Sequence, residues 1–317
     1  MLKILFLLQK NLTYSIPIFM LSGFFYGYLN NPASLKQLIT PMTFLMVFPM
    51  MVTLDIQKVF TKGDTKLQLF TQGINFLIIP FLGLLVGNIF FKDNPLLIVG
   101  LLLTSLLPTS GMTISWTGFA KGNVPAAVKM TVIGLILGSF LTPVYLKLLV
   151  GTVIEIPFIS VVKQIVMIVF IPMFLGIVTQ KYLIKTYGIT KYNNEIKMKF
   201  PLVSTLGVLS VVFISISLKA KDILKDPTIF FSILAPLIFI YFLNFLISTI
   251  VAKKFFIKED GIALVYGTVM RNLSIALAIA INVFGEEGSD IALVIAVAYI
   301  IQAQAAAWYV KFTNRIF

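Results

Sequence analysis

The sequence predicts an all-α polytopic membrane protein with about ten transmembrane helices. Three observations carry that prediction. Hydrophobic residues make up 59% of the chain and charged residues 12%, against about 25% charged in an ordinary soluble domain. Ten apolar runs, each about long enough to cross a bilayer, follow one another with short polar connections. Two of these runs, the fourth and the ninth, carry residues that a helix in lipid accepts only inside protein or beside a water-filled cavity.

The runs lie at roughly 12–29, 38–54, 69–90, 95–119, 124–150, 158–180, 199–219, 228–251, 261–284 and 289–310. The opening "MLKILFLLQKNLTYS" has no small-residue cleavage site after its apolar core, so it is expected to be retained. The net charge of +13 does not point to nucleic acid, because the basic residues fall in the connections, as membrane topology demands. Lys3, Lys10, Lys58, Lys62, Lys66, Lys121, the cluster Lys181 to Lys199, Lys253, Lys254, Lys258, Lys311 and Arg315 fall on one side; Lys36, Lys92, Lys147, Lys163, Lys219, Lys221 and Lys225 fall on the other. That split of roughly 16 to 7 places both termini in the cytoplasm of a cell (inner) membrane protein. The last outer loop, "GEEGSD" with Glu286, is purely acidic, in agreement. Lys129, near the cytoplasmic end of the fifth run, is expected to snorkel.

The chain also repeats itself. "IPIFM" at 16–20 in the first run matches "IPMFL" at 171–175 in the sixth, Pro41 opens the second as Pro201 opens the seventh, and Pro80 lies in the third as Pro236 does in the eighth. These intervals fit two five-helix halves, 1–156 and 157–317. Five is odd, so the second half enters the membrane from the opposite side, the inverted repeat that transporters use.

The fourth run contains "LLPTSGMTISWTGFAKGN" at 106–123. Pro108 removes a backbone donor and Gly111 weakens the helix a turn later, while Thr109 and Ser110 are suited to cap a new half-helix. A break near 107–110 follows. The ninth run holds Arg271, Asn272 and Ser274 at the corresponding depth. Half-helix N-termini beyond two such breaks would offer N–H groups and partial positive charge to an anion.

Arg271 lies about ten residues, or about 15 Å of helix rise, from either end of its run, too far to snorkel comfortably. All 12 acidic residues fall in connections or at run ends, so no carboxylate is available at its depth. An unpaired cation there would cost about 2.5–3.5 kcal/mol on an insertion scale, which leaves backbone carbonyls and a bound anion as its partners. The chain has no Cys and no His. Disulfides, thiolate or imidazole metal sites and a histidine proton shuttle are therefore excluded, and neither a cofactor nor an intramembrane enzyme is expected.

Over nearly its whole length the chain resembles the bile acid:sodium symporter superfamily, including its arsenite-efflux permease branch. The resemblance rests on "PTSGMT…FAKGN" leading into "VPAAVKMT", on "NFLIIP" in the third run, and on "MRNLSIALAIAINVFG" in the ninth. It implies a core domain, a smaller panel domain, and fourth and ninth helices that are discontinuous and cross at the substrate site. Sodium-coupled members use hydroxyls, carboxamides and one ninth-helix glutamate. In the matching positions this chain has Thr113 and Ile114, Ala127 and Thr131, Gly267 for the glutamate, and Arg271 and Asn75 for two glutamines. The resemblance thus implies sodium sites that have lost their carboxylate and gained a cation. Arsenite permeases are associated with a fourth-helix cysteine, which is absent here, and their ninth-helix acid falls at about Ser274.

The expected function is alternating-access transport of a small organic anion, a carboxylate above all, without sodium coupling. The alternatives are an arsenite or antimonite efflux permease, a sodium-coupled organic anion symporter, and an anion channel. The expected ligands are Arg271 for the charge and Thr109, Ser110, Thr113, Asn272 and Ser274 for hydrogen bonds, followed by Asn75, Thr131, Gln302 and Gln304. Gln302 and Gln304 cannot both face the site, since two residues on a helix are about 200° apart.

Overall fold

The computed structural model describes residues 2–55, 63–152, 155–225, 228–285 and 287–317. Lys58, Lys62 and Glu286 of the loop tallies lie outside them, as do the side chains of Lys3 and Lys225. Among the described residues the regular elements are helices. In chain order they are α1 (Leu2–Lys10), α2 (Leu12–Leu29), α3 (Ile39–Thr53, entered through the 3₁₀ turn Pro32–Leu38), α4 (Thr65–Gly73), α5 (Ile79–Phe90), α6 (Pro95–Leu106), α7 (Gly111–Phe119) and α8 (Val124–Val150). The second half holds α9 (Phe158–Ile165), α10 (Ile171–Tyr187), α11 (Ile189–Lys191), α12 (Phe200–Lys225), α13 (Thr228–Phe255), α14 (Lys258–Val269), α15 (Leu273–Val283) and α16 (Gly288–Ile316).

Among the described residues, seven continuous helices are long and apolar enough to cross a membrane: Pro32–Thr53, Thr65–Phe90, Val124–Val150, Phe158–Tyr187, Ile189–Lys221, Phe230–Phe255 and Gly288–Ile316. Ile4–Lys10 and Tyr14–Leu29 form a further pair, bent by 106°. The fourth and ninth runs are each delivered in two pieces, α6 with α7 and α14 with α15, of which Pro95–Leu106 and Leu273–Val283 are short apolar helices. Large apolar side chains such as Leu77, Leu148, Phe174 and Ile250 point outward, as a lipid-facing surface requires.

Prolines act differently at different depths. Pro80 follows a π-helical turn at Ile74–Ile78. It has no N–H to return to the carbonyl of Phe76 four residues back, and the Tyr145 hydroxyl donates to that carbonyl at 2.6 Å. Pro172 likewise follows a π-helical turn, Val166–Phe170. Pro17 and Pro236 sit inside uninterrupted helices.

The helices fall into two packing groups. In one, α12 lies chiefly against α2 and α3, and α10 packs on α3. Gly23 and Gly27 let α2 approach α12 closely: a Cβ on Gly23 would stand 2.5 Å from the Phe213 carbonyl oxygen, and one on Gly27 would collide with that of Ser217. Small residues four apart permit this backbone contact in membranes. In the other group α6, α14, α15 and α16 form the centre, and every residue from Gly261 to Ala280 is buried. Lys129 does not snorkel. It is buried and bonds Asp64 at 2.6 Å, because the N-terminal end of α4 brings that carboxylate, steadied by Gln68, over α8.

Candidate substrate site

The two interrupted runs meet each other. After α6 ends at Leu106, Pro108 pairs with Arg271 as an isolated antiparallel bridge. Thr109 N–H donates to the Met270 carbonyl and Asn272 N–H to the Leu107 carbonyl, both at 2.8 Å. Each break thereby satisfies backbone groups that the other leaves open. Thr109 adopts φ 62°, a left-handed conformation that a β-branched residue enters at a cost of about 1–3 kcal/mol. Its hydroxyl donates to its neighbours, the carbonyls of Pro108 (2.7 Å) and Thr131 (3.3 Å), which hold it there.

Beyond the breaks both helices restart with side-chain caps. Ser110 Oγ accepts from Met112 N–H, and Ser110 N–H donates to Thr113 Oγ1 at 3.1 Å, a reciprocal capping box. Asn272 Oδ1 accepts from Ile275 N–H at 3.3 Å. This cap explains why the ninth run breaks without a proline.

Between the two helix groups lies a cavity of about 790 Å³. Met50 and Met51 of α3 and Ser204 and Val208 of α12 form one wall; Ser110–Trp116 without Thr113, Thr131 of α8, Arg271–Ile275 and Tyr299 of α16 form the other. Among the described residues its basic lining side chains are Lys10, Lys197 and Arg271, and its acidic one is Asp55. Most of the remaining surface is apolar, including Met112, Ile114, Trp116, Phe119 and Leu135.

Of the expected ligands, Arg271, Asn272, Ser274, Ser110 and Thr131 line this cavity. Ser274 Oγ shares a 2.6 Å hydrogen bond with the Tyr299 hydroxyl, and Thr131 Oγ1 donates to the Ala127 carbonyl. Thr109, Thr113, Asn75, Gln302 and Gln304 do not line it. Thr109 and Thr113 are spent on the break, Asn75 Nδ2 donates to the Gly267 carbonyl at 3.0 Å, and Gln302 grips the backbone of Arg271. Gln304 is half-buried elsewhere on α16.

Arg271 is 3% exposed. Its Nη1 donates to the Ser105 carbonyl at 3.3 Å, one of the carbonyls left open where α6 ends, so the cation complements the negative end of that helix. Its Nη2 is buried without a hydrogen-bond partner among the described residues. A second void, about 10 Å³, adjoins the same side chain between Thr104, Ser105, Ile240, Tyr241 and Asn244. Sequence reading missed Tyr241 and Tyr299. The signal for Tyr299 was its position three residues before Gln302, on the same face of one helix.

Three of the positions that the resemblance assigns to sodium, Gly267, Ala127 and Ile114, carry no side-chain oxygen. A Cβ on Gly267 would lie 2.6 Å from Met130 Sδ and 3.1 Å from Thr71 Cγ2, so apolar atoms fill the space of the missing carboxylate. Ala127 is buried with no oxygen on its side chain, and Ile114 faces the large cavity.

Comparison with known proteins fixes the family. The model of the Sodium Bile acid symporter family matches residues 40–226, more than half of the chain. The chain belongs to the sodium bile acid symporter family. Its relatives within and around that family include the Arsenical-resistance protein Acr3 of Alkaliphilus metalliredigens, 27% identical over 288 residues that cover 86% of this chain and 79% of that protein. Another is the Sodium/bile acid cotransporter 7-B of Xenopus laevis, 26% identical over 202 residues, 60% of this chain and 56% of that protein. A second Acr3, of Corynebacterium glutamicum, is 22% identical over 230 residues, 67% and 60% of the two chains. With at least seven helices able to cross a bilayer, this family member is a multi-pass membrane transporter.

Proposed function

We propose that the chain is a ten-span secondary transporter that carries a small organic anion, a carboxylate above all, by alternating access. The observation that carries the reading is the shared cavity wall: two side-chain-capped helix N-termini, at Ser110 and Asn272, stand beside Arg271. Each N-terminus favours an anion by about 0.3–1 kcal/mol, and the cavity's basic side chains outnumber its acidic one. Arg271 supplies the fixed charge; Ser110, Asn272 and Ser274 supply hydrogen bonds, whereas the Thr131 hydroxyl gives its proton to the Ala127 carbonyl. On this reading the two helix groups are a panel and a core, the fourth and ninth helices cross at the site, and the halves 1–156 and 157–317 form an inverted repeat. The end of the cavity lined by Lys10, Asp55 and Lys197 faces the cytoplasm on this reading, together with both termini. The filled space at Gly267 favours transport without sodium.

The test exploits the cysteine-free chain. Ser115→Cys places one thiol in the cavity, and its modification rates by an anionic and a cationic methanethiosulfonate reagent are compared. A several-fold preference for the anion that disappears in Arg271→Gln supports the reading; equal rates in both proteins refute it. Thermal-shift screening against small carboxylates, oxyanions and arsenite then names the ligand, since a compound at 100 times its Kd adds about 2.7 kcal/mol of stability.

One specific observation favours a second reading, an arsenical-resistance permease: the Acr3 likeness extends over 86% of the chain. Trivalent arsenic prefers thiolates, and the chain has none. A shift with arsenite and none with carboxylates would select that reading.

A further inference from the structure

We infer that Gln302 is the positioning residue of the ninth-helix break, a side chain that takes the place of a third strand beside the bridge between the two breaks. The backbone of 270–272 is extended enough to use both its edges. On one edge, Met270 carbonyl and Asn272 N–H pair with Thr109 and Leu107. On the other, Arg271 N–H donates to Gln302 Oε1 at 2.7 Å, and Gln302 Nε2 donates back to the Arg271 carbonyl at 3.3 Å. A primary carboxamide presents a donor and an acceptor side by side, as a neighbouring strand does.

The orientation of the amide is fixed from behind. The Tyr241 hydroxyl of α13 donates to the same Oε1 at 2.9 Å, so the oxygen must face Arg271 N–H and the nitrogen its carbonyl. Gln302 is fully buried and has no face on the large cavity. It therefore acts on a transported anion only through Arg271. One turn earlier on α16, Tyr299 grips Ser274, so α16 holds both the backbone that carries the cation and the first turn of α15. Residues of the fourth-helix break need no such helper, because Ser110 and Thr113 cap each other. In functional terms the inference rests on the proposed anion site; in structural terms it stands alone.

The experiment is residue-resolved hydrogen–deuterium exchange on the full chain in detergent. In Gln302→Leu the Arg271 amide is expected to exchange about tenfold faster, with the Thr109 and Asn272 amides at wild-type rates. Gln302→Glu keeps the acceptor and should keep the Arg271 amide protected, a rescue that a volume effect would not produce. On the Ser115→Cys reporter, Gln302→Leu should reduce the preference for the anionic reagent. Unchanged exchange at Arg271 in Gln302→Leu, or equal acceleration of all three amides, overturns the clamp. If the clamp holds and Arg271→Gln leaves the reagent preference intact, the anion reading fails and the clamp stands.

Discussion

Pro108 and Arg271 lie opposite one another across an antiparallel bridge in which each interrupted helix completes the other's backbone hydrogen bonding. In lipid an open backbone group costs several kcal/mol. The two breaks are therefore interdependent, and the cation emerges where the chain has unwound inside the buried stretch from Gly261 to Ala280.

Arg271→Ala and Arg271→Gln are expected to abolish anion-dependent stabilisation while the protein stays folded. The guanidinium has one hydrogen bond to protein, from Nη1 to the Ser105 carbonyl, and an unpartnered Nη2. Its removal orphans no carboxylate, so the electrostatic loss is about 1.5–3 kcal/mol for a single charge-assisted hydrogen bond, to which Arg271→Ala, but less so Arg271→Gln, adds the loss of packing. Thermal unfolding with and without the carboxylate that gives the largest wild-type shift measures both quantities. Retention of that shift in either variant would make the arginine structural.

Tyr145→Phe should lose about 1–3 kcal/mol, because the Phe76 carbonyl within the π-helical turn gives up its 2.6 Å donor. Pro80→Ala restores a backbone N–H four residues beyond that carbonyl. The double variant should then lose less than the two single ones together, a coupling measurable by a thermodynamic cycle. Strict additivity would show that the hydroxyl does not stand in for the missing N–H.

The break at 107–110 was legible because proline, glycine and a cap-forming Thr or Ser interrupt an apolar run, and the one around Arg271 because three polar side chains fall within a four-residue stretch of another. That the ninth run's centre lies inside protein or beside a cavity was legible from the same polar residues, since lipid does not accept an open break. What each polar side chain does was not. Thr113 and Asn272 could equally have donated to a ligand or capped a helix, and a capping box depends on the turn actually formed. Lys129 read as a snorkelling residue because its partner, Asp64, is 65 positions away in the chain. Gln302 read as a ligand for the same reason: nothing local reveals that its carboxamide meets a backbone 31 positions earlier.

Gly27→Leu should destabilise the chain by more than the usual 1–3 kcal/mol of overpacking, since its Cβ would strike the Ser217 backbone rather than a movable side chain. Gly118→Ala is the control, because its Cβ would meet Val124 Cγ2 at an ordinary 3.7 Å. Thermal unfolding of the two variants should differ accordingly. Equal stability would mean that α2 and α12 are not held at backbone contact.

Transport is expected to be independent of sodium, with Arg271 supplying permanently the positive charge that ions bring to coupled relatives. The space next to Gly267 is filled by Met130 Sδ and Thr71 Cγ2, and Asn75 Nδ2 donates to the Gly267 carbonyl, which leaves Asn75 Oδ1 as a carboxamide oxygen without a hydrogen-bond partner among the described residues. A sodium ion placed there would find few oxygens and a guanidinium nearby. Two unit charges 4 Å apart repel by roughly 4 kcal/mol even at an effective dielectric of 20. A tethered cation cannot dissociate into the cytoplasm, so it carries no gradient energy, and arginine does not release its proton to serve a proton gradient. Facilitated diffusion or anion exchange is what remains. The measurement is uptake into proteoliposomes of the carboxylate that gives the largest thermal shift, with sodium replaced by potassium or choline on both sides, then with an imposed sodium gradient. Equal rates in all three salts and no uphill accumulation are expected. Gly267→Glu should not create coupling, because the new side chain would have to displace Met130 before it could offer an oxygen. Accumulation driven by sodium in the wild-type protein would show that the ion finds its ligands elsewhere in the chain.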